Sequence, residues 1–257
     1  MLIVFSALFC SCKVNLEVQK IDNSLKRGSK FMQSKLSELD PNLLSLLIWN
    51  NDRLRLGLKI DTGKLFKKHE GLDIPSIKLM RAKINNEDDL QNYTANNPLI
   101  FSDELMIRSL NCEKIPVNYK LFGDITMMAR GTEYELSHAL LFVSLIKNKG
   151  CVNNYYLDSI QNLCIDKILK SLIEFPQFSD LNAEFIALLM YAGMYEKLDK
   201  SYLQNIIDLQ NEDGSWVGEN VKSYKPYELH TCFLSLWALG EWKKVVLEKE
   251  NNSKKKK

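Results

Sequence analysis

His138, Glu184 and His230 are the residues whose types and spacing could do chemistry, because 46 positions separate each from the next. Each lies near the start of an apolar stretch: YELSHALLFVSL, DLNAEFIALLMYAG and YELHTCFLSLWALG. Two imidazoles and a carboxylate suit zinc or another divalent ion, with a fourth position left for water or a polarised carbonyl. Glu135, Glu228, Tyr134 and Tyr227 fall within a turn of the expected ligands, so they are candidate acid/base or ligand-orienting groups. The spacing carries one misfit. Aligning the two Tyr-Glu-Leu triplets places Thr231, not His230, opposite His138, and one residue turns a helix by about 100°. Each residue also has a plainer account. A histidine opening a buried helix is often a hydrogen-bonded core residue. A carboxylate in a first turn is favoured by the positive helix end, which covers Glu135, Asp180 and Glu228 better than Glu184.

The elements that must position these residues are helices. Apolar residues between Lys30 and Trp49 predict two of them, the second opening at Pro41, where a missing N–H costs nothing. A short helix is expected from Ser102 to Leu110, while residues 50–100, the least legible part, read as loops with short strands or a helix near Ile77 to Ile84. From Tyr134 the signal is strong. A helix apolar nearly all round ends at Asn148-Lys149-Gly150. An amphipathic one follows from Asn153 to Phe175, then an apolar one from Asp180 to Met194, an amphipathic one from Asp199 to Leu209, and an apolar one from Tyr227 to Trp242. Buried helices alternating with half-exposed ones at an even period predict an all-α, α/α toroid-like array of hairpins, inner helices enclosed and outer ones wetted.

With 34 Lys and Arg against 32 Asp and Glu, and four of the lysines in the terminal Lys254–Lys257 run, the body is near neutral. A nucleic-acid surface is not indicated, and no apolar run approaches the roughly 20 residues of a membrane-spanning helix. Residues 1–12, MLIVFSALFCSC, match the apolar core of a secretory signal ending in small residues. Phe9-Cys10-Ser11-Cys12 also resembles a bacterial lipoprotein box, with Cys12 as the lipid anchor. The expected organisation is therefore a signal segment (1–12), a polar lead-in (13–28), one domain (29–245) and a disordered basic tail (246–257). Export allows Cys112, Cys151, Cys164 and Cys232 to form two disulfides in any of three connectivities, with buried free thiols as the alternative. His69, among Lys67, Lys68 and Glu70, reads as a solvated loop residue.

Three resemblances bear on function. Gln210 and Trp216, with Asp213-Gly214 between, resemble the QW motif of triterpene cyclases, in which the glutamine bonds a helix end and stacks on the indole. Leu229-His230-Thr231-Cys232 is similar to the zinc-histidine segment of protein prenyltransferase β subunits, although the aspartate and cysteine of that family have no counterpart here. The run Gly131 to Phe142, ending at Lys149-Gly150-Cys151, resembles a secreted family of unknown function named after an open reading frame on human chromosome sixteen. That likeness spans roughly Gly131 to Leu239 and, faintly, the helix near Lys30. It implies export and a single domain, and no activity. The leading expectation is an exported metal-dependent hydrolase or lyase using His138, Glu184 and His230. The alternative is a non-catalytic extracellular module that binds a peptide or glycan, its polar cluster only holding the inner helices together. A glycan-cleaving barrel using Glu135 and Glu228 is a third reading.

Overall fold

Short polar residues start several of the helices by accepting a backbone N–H that the first turn leaves orphaned. In the computed structural model, which describes residues 2–61, 63, 101–152, 155–217 and 227–255, the helices are α1 (Leu2–Lys35), α2 (Pro41–Leu54), α3 (Phe101–Leu110), α4 (Tyr119–Met128), α5 (Glu133–Asn148), α6 (Tyr155–Glu174), α7 (Asp180–Tyr191), α8 (Lys200–Asp208) and α9 (Tyr227–Lys255). A 3-10 turn, Tyr195–Lys197, joins α7 to α8, and no strand occurs among the described residues. Asn118 caps α4, Thr132 caps α5, Ser179 caps α7 and Asp199 caps α8. Gly150 and Gly193, at φ 70° and 78°, end α5 and α7 in the left-handed turn that glycine favours.

The described residues form two compact units. One holds Met1–Leu39, Leu46–Ile60 and Gln177–Lys257; the other holds Asp40–Ser45 and Asp61–Pro176. In the first, α9 packs against α7, α1 and α8. Its central residues Thr231 to Trp242 are all buried, as are Asn182 to Met190 of α7. Close helix approach depends on small residues: a side chain on Gly28 would strike the Trp216 ring at 2.7 Å, and one on Gly240 would strike Leu54 at 2.7 Å. In the second unit, α5 packs against α6, α3 and α4. Cys112, just past α3, is bonded to Cys151, just past α5. Lys147 bonds Asp158 at 2.6 Å, and the Lys167 ammonium donates to the Ala129 carbonyl at 3.0 Å.

Burial alternates along the chain as expected: α5, α7 and the 231–242 stretch of α9 are largely enclosed, whereas α6 and α8 bury one stripe, only Leu203 and Ile206 in α8. Two sequence expectations are revised. Residues 13–28, expected as a loose lead-in, lie within α1, where Ile21, Ser24 and Leu25 are buried. Residues 246–255, expected as part of a disordered tail, continue α9. The cysteine pairing, which the sequence left open, joins Cys112 to Cys151, with Cys164 and Cys232 as buried free thiols.

Candidate functional site

Asp180 is the first residue of α7, where the helix end favours its charge. From there its carboxylate reaches α9. The His230 imidazole donates through Nδ1 to both oxygens, at 2.9 and 3.0 Å, and the Thr231 hydroxyl donates to Oδ1 at 2.7 Å. Both rivals of the sequence alignment, His230 and Thr231, thus meet the same carboxylate. Glu184 lies one turn further along α7 and is buried.

His138 belongs to the second compact unit, Glu184 and His230 to the first. The His138 Nδ1 lies 2.7 Å from the Tyr134 carbonyl, which can only accept, so that nitrogen carries the proton. Its ring stacks on Tyr134 at 4.5 Å. Among the described residues no three His, Cys, Asp or Glu side chains are grouped to hold a metal ion. The carboxylate that meets His230 is Asp180, while Glu184 lies buried one turn further along α7.

The candidate acid/base groups have local roles where they are described. Glu135 completes a capping box: its carboxylate accepts from the Thr132 N–H at 2.7 Å while its own N–H donates to the Thr132 hydroxyl. The Thr132 backbone bond, followed by the hydroxyl bond, lowers its pKa from the usual value, which suits an ionised cap better than a proton donor. Tyr134 is exposed. The side chains of Tyr227 and Glu228, like His69 and Cys12, lie outside the described residues.

Two clusters escaped the sequence reading. The Arg53 guanidinium sits 4.6 Å from the Trp49 ring, 4.8 Å from Tyr191 and 5.9 Å from Trp237, and pairs with Glu241 at 2.5 Å. Trp237 Nε1 also donates to Glu241, at 3.1 Å. The i,i+4 spacings of Trp49 with Arg53 and of Trp237 with Glu241 were the available signal. The second is the partner of the glutamine turn. Gln210 bonds Ser24, in the interior of α1 rather than at a helix end, and its amide also donates to the Gly214 carbonyl. Trp216 donates its indole N–H to the Ile206 carbonyl at 2.6 Å and its backbone N–H to the Cys232 sulfur. No protein-family model, curated protein or solved structure matches the chain.

Proposed function

We propose that this chain is an exported, non-catalytic binding or structural module, an α/α toroid-like array whose inner-helix polar residues fasten helices rather than turn over a substrate. The carrying observation is the Asp180 carboxylate, engaged by His230 and Thr231 together. A histidine held this way orients and links two helices, the role of a satisfied polar network in a core. Export draws support from the Cys112–Cys151 disulfide, a bond that persists in oxidising compartments, and from the resemblance to the secreted family noted above.

The test is metal analysis of gently purified protein, paired with thermal melting of the His138→Ala/His230→Ala variant. A structural role calls for less than about a tenth of an equivalent of any transition metal and for a lowered melting point in the variant. A stoichiometric metal that disappears in the variant would restore the metal-enzyme reading and refute this one.

A further inference from the structure

The first compact unit contains a cavity of about 730 Å³ between α1, the chain that leaves α2, and α9. Its charged lining is lopsided: Lys26, Lys30, Arg55, Lys59 and Lys243 face a single carboxylate, Asp22. Asp22 is already bonded to Lys243 at 2.6 Å. The other four cations form no ion pair with a described residue. Asp22, Lys26, Ser29, Lys30 and Gln33 follow one another at helical spacing, so α1 presents them on one face.

The opposite wall is a loop held by side-chain amides. The Asn51 amide donates to the Leu58 carbonyl at 3.1 Å and accepts from the Leu58 N–H at 2.9 Å. Gln33 does the same to Lys59, at 3.1 and 2.7 Å. Two side-chain amides thus clamp two consecutive residues, Leu58 and Lys59, and hold the backbone that carries Lys59. Arg55 itself has φ 54°, a left-handed conformation that non-glycine residues rarely adopt and that clusters where function holds it. Ser29, which also lines the cavity, is 8 % exposed, and its hydroxyl has no hydrogen-bond partner among the described residues. Leu25 and Leu58 are buried beside it and give the cavity an apolar floor.

We infer that this cavity is a binding site for an organic phosphate: a dianionic phosphomonoester head among Lys26, Lys30, Arg55 and Lys59, with an apolar body on the leucines. Cations gathered in one concavity with no ion-pair partner among the described residues focus positive potential and attract a multiply charged anion. Arginine supplies a planar fork for phosphate oxygens, lysines supply point charges, and Ser29 supplies a neutral donor. A volume of this size matches small-molecule sites, and walls already held in place spare the ligand the cost of ordering them. The site uses none of the residues assigned to the Asp180 cluster, so it stands or falls separately from the function proposed above.

Calorimetric titration of the full-length chain at low salt tests this, with 1-naphthyl phosphate, inorganic phosphate and uncharged 1-naphthol as probes. Saturable 1:1 binding of 1-naphthyl phosphate is expected, weaker for inorganic phosphate, undetectable for 1-naphthol, and weakening as salt is added. The Lys30→Glu/Arg55→Glu variant should lose at least about tenfold in affinity at an unchanged melting temperature, while Lys244→Glu, exposed but outside the cavity, should retain it. Lys26→Ala/Lys59→Ala provides a second readout should the charge reversal fail to fold. Vesicles of phosphatidylcholine with and without phosphatidic acid distinguish the source: selective capture by the acidic vesicles assigns the phosphomonoester to a lipid, and binding of the soluble probe alone assigns it to a free metabolite. Absence of saturable binding to both naphthyl phosphate and acidic vesicles overturns the inference, as does undiminished affinity in the folded cavity variants or equal binding of 1-naphthol.

Discussion

Ser24 and Gln210, 186 residues apart, bond each other twice: the Ser24 hydroxyl donates to the Gln210 side-chain oxygen at 2.7 Å, and the Gln210 amide donates to the Ser24 carbonyl at 3.0 Å. The pair is buried and fixes the turn before α9 against α1. Gly214 is its geometric requirement. Its φ is 93°, and an added side chain would lie 2.3 Å from the Arg27 carbonyl oxygen, a backbone atom that cannot swing aside. Gln210→Ala should therefore cost about 2 to 3 kcal/mol, since it strands buried partners. Gly214→Ala should cost at least about 2 kcal/mol through strain and collision. Urea unfolding of each variant against wild type measures both.

Arg53 lies within reach of three aromatic rings and a buried carboxylate, so its planar face contributes as well as its charge. Arg53→Ala leaves Glu241 buried without its cation and should destabilise by about 3 kcal/mol or more. Arg53→Lys keeps the charge and loses the stacked plane. Denaturant midpoints should place Lys between Arg and Ala, and a lysine variant as stable as wild type would show that stacking adds nothing.

The Cys112–Cys151 bond closes a loop across a sequence separation of 39. The chain-entropy relation for a loop of that length gives about 4 kcal/mol of stabilisation through the unfolded state. Cys112→Ser/Cys151→Ser should show most of that loss in equilibrium unfolding, and peptide mapping of the oxidised parent should find these two residues joined to each other.

Cys164 offers a pH signature. Burial pushes its thiol up to about 12, with Lys167 pulling weakly the other way. Between the ordinary thiol value near 9 and about 12, the unfolded chain loses this proton while the folded chain keeps it. The folded state then binds more protons, so the contribution of this group to stability falls as pH rises through that window. Peptide-resolved iodoacetamide labelling at pH 8 should leave Cys164 unmodified until denaturant is added. Rapid labelling in the folded protein would contradict its burial.

The five C-terminal helices were readable because their apolar residues are dense and their ends are punctuated: Thr132 and Ser179 cap, Gly150 and Gly193 stop. Helix α1 was obscured because its buried residues, Ile21, Leu25 and Met32, are thin among charges. Helix α4 is ten residues long with Gly123 inside, too short for periodicity to show. The site was half legible. Even spacing pointed from His230 to Glu184, and the carboxylate that the structure places against His230 is Asp180, at the start of α7. Sequence spacing cannot report the stagger of two packed helices, and one turn of stagger exchanges one carboxylate for another. Which cysteines pair was likewise open, because it depends on the packing of α3 on α5.

The most direct test of the structural role of His230 is a double-mutant cycle between Asp180→Ala and His230→Ala, measured by urea unfolding with EDTA and again with added zinc. A helix-fastening contact predicts a coupling energy of about 1 to 2 kcal/mol that is the same in both conditions. A coupling indistinguishable from zero, or one that emerges only when zinc is present, would contradict it.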